Sequence, residues 1–197
     1  MQSPASMLRV LLVNDTAKPI GELRDALEHA GYAVIAEVDG AAALLHAVET
    51  QRPDVVIIDT ESPSRDTLEQ LAVMGHAAPR PVVMFADRSE PQAIRDAVGA
   101  GVTAYVVDHV GADRLAPIIE VALARFEEEA RLKKRLANAE QQLADRKLID
   151  RAKGVLMDKR GLSEAEAYAT LREQAMKQGS RIADVARQLI AMAELLG

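Results

Sequence analysis

The sequence predicts an α/β domain, a five-stranded parallel sheet doubly wound with helices, followed by a long coiled-coil-like helix and a small three-helix bundle. Three observations carry this. Over residues 1–117, five short apolar runs alternate with stretches of helical spacing, the pattern of a parallel sheet covered on both faces. From Ile118 to Leu148 there is no Gly or Pro, and the composition turns to Ala, Glu, Leu, Lys and Arg. Over residues 143–197 the helical spacing is broken only near Gly161 and Gly179. The expected divisions are therefore 1–117, 118–142 and 143–197.

Each element has its own local reason. Leu8–Val13 is a nearly continuous apolar run, suited to a strand buried on both faces. Ile20–Ala30 has helical spacing through Ile20, Leu23 and Leu27 and stops at Gly31. Ala33–Glu37 is the second strand and Ala41–Glu49 the second helix. After Pro53, Asp54–Asp59 forms a strand with a carboxylate at its C-terminal end. Thr67–Met74 is helical, Pro81–Phe85 a strand, and Pro91 opens a helix to Gly99, where its missing N–H costs little. Val102–Val107 is the fifth strand, and a helix begins near Ala112.

In the long helix, Leu132, Leu136, Ala139 and Leu143 repeat at spacings of 4, 3 and 4, as in a coiled-coil seam. This motivates a homodimer. In the last part, Ser163 and Glu166 have capping-box spacing, and a final helix starts near Ser180. Leu148, Ala152, Val155 and Leu156 form the expected buried side of the module's first helix. Ile182, Val185, Ala186, Leu189, Ile190 and Ala193 do so for its third, and Met157 and Met176 are also read as core.

Composition narrows the function. The chain has no Cys, which removes thiolate metal sites, cysteine nucleophiles and disulfides. It has no stretch of about 18 uncharged apolar residues, so no membrane span is expected. The opening MQSPASMLRV lacks the pattern of a signal peptide, and a cytoplasmic protein is the expectation. The net charge of -6 is unevenly spread: residues 143–197 hold 10 Lys and Arg against 8 Asp and Glu, the first 142 residues 14 against 22. A locally basic part can bind nucleic acid although the whole chain is acidic. All four His lie in the first part, at 29, 46, 76 and 109. The second part has no carboxylate–His pair, phosphate loop or ligand cluster, so no enzyme activity is expected.

In a doubly wound sheet, ligands gather outside the C-terminal ends of the strands. If the first and third strands are neighbours, Asp15 and Asp59 share one rim. Two carboxylates and a nearby carbonyl suit Mg²⁺. The alternative is a solvated rim with no ligand, and a cofactor is not required. Residues 8–126 resemble a response-regulator receiver domain, through Leu11–Asp15, Gly40, the VVIID run ending at Asp59, Pro63, Gly101 and Tyr105. The resemblance implies Asp59 as phosphoacceptor and Asp15 as a Mg²⁺ ligand. Four positions depart: Asn14 replaces an acid, Ala86 the hydroxyl residue that senses the phosphoryl group, Asp108 a Lys, and His109 a Pro. Asp108 would repel a phosphorylated Asp59. Scaffold or protein-docking use of this domain is therefore expected over an ordinary phosphorylation switch.

Lys147, Arg151 and Gly154 follow i, i+4, i+7 spacing on the basic first helix of the last part. Such a face contacts phosphates or is merely solvated. Residues 143–196 resemble the ANTAR module, an RNA-binding bundle of transcription antitermination regulators. The residues that carry this are Ala152–Met157, Gly161, Ser163, Glu166, Ala167, Leu171, Ala175, Met176, Ile182, Val185 and Ala186. The whole chain resembles the nitrate-assimilation and amidase-operon antiterminators, with the domain order leaning toward the nitrate type. That resemblance implies binding to paired stem-loops in leader RNA, held against terminator formation, and control by a ligand-sensing inhibitory partner protein or by oligomerisation. It places the RNA face at Arg151, Lys153, Gly154, Lys159, Arg160, Tyr168 and Arg172. Gly154 would allow close approach of a helix or of RNA; Tyr168 would stack on a loop base or cap the core. Two alternatives stay open: a phosphorylation-controlled regulator of DNA or protein, and a scaffold without nucleic acid.

Overall fold

The computed structural model describes residues 7–16, 20–88, 90–107 and 111–196. The chain divides into two compact units, Met1–Ala130 and Arg131–Gly197. In the first, β1 (Arg9–Asp15), α1 (Gly21–His29), β2 (Ala33–Asp39), α2 (Leu44–Gln51), β3 (Val55–Thr60), α3 (Arg65–Ala77), β4 (Val82–Ala86), α4 (Pro91–Gly99) and β5 (Ala104–Val107) alternate in order. A short 3-10 turn, Ala41–Ala43, precedes α2. The strands form one parallel sheet in the order β2-β1-β3-β4-β5.

Both faces of the sheet are covered, which is why its strands read as continuous apolar runs. Successive residues of β1 and β3 serve opposite cores. Val10, Leu12, Val55 and Ile57 pack with Leu27 of α1 and with Leu115 and Ile119. Leu11, Val13, Val56 and Ile58 pack with Leu44 and Val48 of α2, Leu71 and Met74 of α3 and Ala97 of α4. Each fully buried aliphatic side chain contributes about 1.5–3 kcal/mol relative to exposure.

Among the described residues, one non-glycine has a positive φ: Arg52, at 49°, caps the C-terminus of α2. A side chain there costs about 1–2 kcal/mol. Two features hold it. Pro53 disfavours a right-handed helical Arg52. The Arg9 guanidinium donates to the carbonyls of Gln51 (2.7 Å) and Arg52 (3.2 Å).

The helix α5 runs without a break from Ala112 to Arg160. Its first turns carry Leu115, Ile119 and Ala122 into the first unit's core. Pro117 lies inside it; near a helix start it removes one backbone bond. From Arg131 onward α5 belongs to the second unit with α6 (Glu164–Gln178) and α7 (Ile182–Leu196).

The second unit has a small core of Ala152, Leu156, Ala167, Leu171, Ala175, Val185, Ala186 and Ile190. Leu148, Ile182 and Leu189 pack partly buried against it. Its turns are written in local chemistry. Gly161 (φ 69°) ends α5 and Gly179 (φ 60°) caps α6 in the left-handed region. Ser163 Oγ accepts from the Glu166 N–H, while the Glu166 carboxylate accepts from the Ser163 N–H at 2.9 Å. That is the expected capping box.

Two expectations about the core are corrected. Met176 is 72% exposed and Met157 39%. The buried stripe of α6 runs through Ala167, Leu171 and Ala175, spaced by four, and Met176 falls one position off it. On α5 the stripe is Ala152 and Leu156, and Met157 is again one residue beyond.

Candidate nucleic-acid interface and carboxylate rim

The strand ends converge as the sequence implied. Asn14 lies opposite Asp59 and Asp15 opposite Thr60 in the β1–β3 register. Thr60 in turn lies opposite Ala86. Thr67, buried near the start of α3, donates its hydroxyl to Asp15 Oδ2 at 2.6 Å. Ser64 caps α3 by accepting from the Thr67 N–H at 3.1 Å. Asn14 is engaged locally: its Oδ1 accepts from the Thr16 N–H (3.1 Å) and hydroxyl (2.9 Å). Ala86 is buried and brings no hydroxyl to the rim. Tyr105 donates its hydroxyl to the Arg88 carbonyl at 2.9 Å, fastening β5 to the segment after β4. Asp108 and His109 lie outside the described residues.

The donors at this rim are oxygens on adjacent strands, and Thr67 engages one of the two Asp15 oxygens. Mg²⁺ fits such a set. Asp15 and Asp59 are the residues that would hold it, and the ion would supply neutralisation of negative charge.

In the second unit the predicted RNA residues separate by environment. Lys159, Arg160, Tyr168 and Arg172 are exposed. Tyr168 and Arg172 stand one turn apart on α6, and Lys159 and Arg160 occupy the last turn of α5. Arg151 is exposed but reaches Glu194 of α7 at 2.6 Å. Lys153 is different in kind. Its side chain is only 15% exposed, and its ammonium lies 2.7 Å from both Asp150 of α5 and Glu164 of α6. Bonds to these two carboxylates hold its pKa above the ordinary lysine value, and the same contact lowers that of Asp150. Lys153 thus ties α5 to the first residue of α6.

Gly154 is partly buried, and a Cβ placed on it would meet nothing within 4 Å. This corrects one of its two expected uses: no helix approaches closely there. Tyr168 is 43% exposed and stands outside the buried cluster. With Lys153 it lines two grooves on the α5–α6 surface.

Sequence reasoning missed two features. Gln142 and Arg146, one turn apart on α5, share a groove with Tyr168. The helical period was the available signal, since 142, 146, 149, 150 and 153 fall on one face. Arg181 bridges the Asp184 carboxylate at 3.1 Å and Asp145 at 3.8 Å, fastening α5 to the start of α7. No local spacing announces that bridge.

Comparison with known proteins agrees with this division. The response regulator receiver domain model matches residues 10–120, and the ANTAR domain model matches residues 137–190. The transcriptional regulatory protein PdtaR of Mycobacterium tuberculosis is 30% identical over 182 residues, covering 92% of this chain and 89% of the relative. The aliphatic amidase regulator of Pseudomonas aeruginosa is 26% identical over 123 residues, covering 62% of this chain and 63% of its own length. The nitrate regulatory protein of Klebsiella oxytoca is 40% identical over 60 residues, which are 30% of this chain and 15% of that protein. A receiver fold in the first unit, an ANTAR match in the second and a relative spanning nearly the whole length place one conclusion beyond resemblance: the chain belongs to the ANTAR-domain response regulators.

Proposed function

We propose that this regulator is an RNA-binding transcription antiterminator that stabilises tandem leader-RNA hairpins against terminator formation. The observation that carries the reading is the ANTAR match over residues 137–190, on a bundle that presents Lys159, Arg160, Tyr168 and Arg172 to solvent. Cations there would neutralise backbone phosphates, and an exposed tyrosine suits an unpaired loop base. Arg151, Lys153 and Gly154 complete the RNA-binding set in this reading. Lys153 contributes through the α5–α6 bridge, since its ammonium already contacts two carboxylates. The relatives named as a nitrate regulatory protein and an aliphatic amidase regulator support a regulatory role.

The working divisions are a receiver domain at 1–117, a helical connection at 118–142 and the RNA module at 143–197. Control runs through oligomerisation or a ligand-sensing inhibitory protein. Leu132, Leu136 and Leu143 are 50%, 60% and 56% exposed, which supports a homodimer through the α5 seam. A dimer would hold two hairpins at once, the second at a raised effective concentration. Ala86 and Asn14 argue against an ordinary phosphoryl switch, although Asp59 with Asp15 and Mg²⁺ retains the acceptor chemistry. No described helix is long and apolar enough to cross a membrane, and a cytoplasmic site of action follows from the proposed target. The family is one of regulators rather than enzymes.

The direct functional test is transcription in vitro through a tandem-hairpin leader with an overlapping terminator. Added protein should raise read-through in proportion to hairpin occupancy. Unchanged read-through with the hairpins fully bound would refute antitermination while leaving RNA binding intact. The second reading, a scaffold without nucleic acid, draws on the carboxylates that already pair Arg151 and Lys153. It predicts no RNA binding at any salt concentration.

A further inference from the structure

Resting on the RNA-binding reading, we infer that the groove between the C-terminal part of α5 and α6 takes one unpaired nucleobase bearing an exocyclic amino group. The groove measures about 390 Å³. Gln142, Arg146, Ile149 and Asp150 line one wall from α5, and Tyr168 stands opposite on α6. Lys153 closes one end, its ammonium fixed on Asp150 and Glu164 at 2.7 Å each. It acts as a positioning residue, setting the spacing of the two helices on which the walls stand.

The chemistry of the lining selects the ligand. Two carboxylates, Asp145 and Asp150, lie along the α5 wall. Each already meets a cation, Asp150 the Lys153 ammonium at 2.7 Å and Asp145 the Arg181 guanidinium at 3.8 Å, but a carboxylate has about four acceptor sites and keeps the others. They accept hydrogen bonds, so a group rich in N–H donors is favoured. An exposed tyrosine ring and the aliphatic Ile149 offer flat apolar contact, which a nucleobase face satisfies. The Gln142 amide can both give and take at a base edge, as glutamine does with adenine, and carboxylates accept from the cytosine amino group. Uracil, with no amino group, meets the carboxylates least well. Arg146 is exposed at the mouth, where a guanidinium suits the phosphate of the docked nucleotide. The base therefore points inward and its phosphate outward.

The test uses the full chain and the tightest-binding RNA selected in vitro from a pool of tandem hairpins with randomised loops. An abasic ribose is placed at each loop position in turn. One position should weaken binding by about 5- to 150-fold, the range of one base stacked on an aromatic ring. Uridine there should weaken it as well. Tyr168→Leu should cause a similar loss, and Tyr168→Phe should retain most affinity. The Tyr168→Leu and abasic losses should not multiply, because both remove the same contact. Tyr168→Leu should leave the salt slope unchanged, since no phosphate contact is lost. An unchanged helical spectrum of that variant separates contact from folding. If the RNA binds but no loop position is sensitive, or if the two losses multiply, the groove assignment is wrong and RNA binding survives. Full RNA affinity in Tyr168→Leu also overturns it and leaves the groove to a protein side chain. A pool that yields no binder overturns both readings.

Discussion

Replacing Leu171 by Ala tests how the second unit is held together. Leu171 is 2% exposed and sits in the middle of the α6 stripe. Its buried neighbours include Ala152, Ala167, Ala175 and Ala186. Alanines have no side-chain torsions with which to fill a cavity, so the void would persist. Such truncations cost about 3–5 kcal/mol when the site does not collapse. At about 0.05–0.15 kcal/mol per residue, a unit of the length of Arg131–Gly197 holds only about 3–10 kcal/mol. The substitution would thus remove a third or more of its stability. Amide hydrogen exchange over α6 reads this locally. Protection should fall by between about a hundredfold and a few thousandfold, at about 1.4 kcal/mol per tenfold. Tyr168→Ala, on the same helix but 43% exposed, should change protection by less than tenfold. A loss at Leu171 smaller than tenfold, or an equal loss at Tyr168, would refute this account of the core.

Further outcomes concern caps, pH and the rim. Ser163→Ala removes the acceptor for the Glu166 N–H and should destabilise α6 by about 0.5–2 kcal/mol in urea unfolding. The carboxyls of Asp150, Glu166, Glu173 and Asp184 lie below their ordinary values, held there first by side-chain hydrogen bonds to Lys153, Ser163, Lys177 and Arg181 respectively. Their stabilisation is present above the unfolded values of 3.8 and 4.5 and is lost as pH falls through the lower folded ones. Melting of the second unit should therefore be flat from pH 6 to 5 and decline below about pH 4. Lys153, raised by its two carboxylates, contributes stabilisation that is complete below its unfolded value of 10.5 and lost as pH rises above it; Lys153→Met should abolish that alkaline decline. Gly179→Ala, at φ 60°, should cost about 1–2 kcal/mol in thermal melts. If a phosphodonor labels the chain, Asp59→Asn should abolish the label, and RNA affinity should differ less than twofold between the labelled and unlabelled wild type.

The sheet was legible because a strand buried on both faces must be apolar throughout, and five such runs, Leu11–Val13 and Val55–Ile58 among them, have few other uses. The turns at Gly161 and Gly179 and the Ser163–Glu166 box were legible because their chemistry is local. Less visible was whatever depends on residues far apart. Arg52 in the left-handed region rests on Arg9, a strand away. The near-burial of Lys153 depends on Glu164, beyond the turn, and the pairing of Arg151 on Glu194 at the far end of α7. Met157 and Met176 misled because both lie one residue from the buried stripe, where composition alone does not separate core from surface. At the rim, the register of β1 with β3 follows from the topology. The turn of Asn14 onto Thr16 does not.

RNA affinity as a function of salt tests the central claim most directly. The full chain would be titrated with a tandem-hairpin leader RNA and a scrambled control, beside Lys159→Gln and Arg160→Gln variants. The account predicts selective binding to the hairpins, falling as salt rises. Each variant should weaken binding and make the log–log slope shallower by about 0.7–0.9 for the phosphate contact it removes. Equal binding to both RNAs, or selective binding with a slope that neither variant changes, would contradict it.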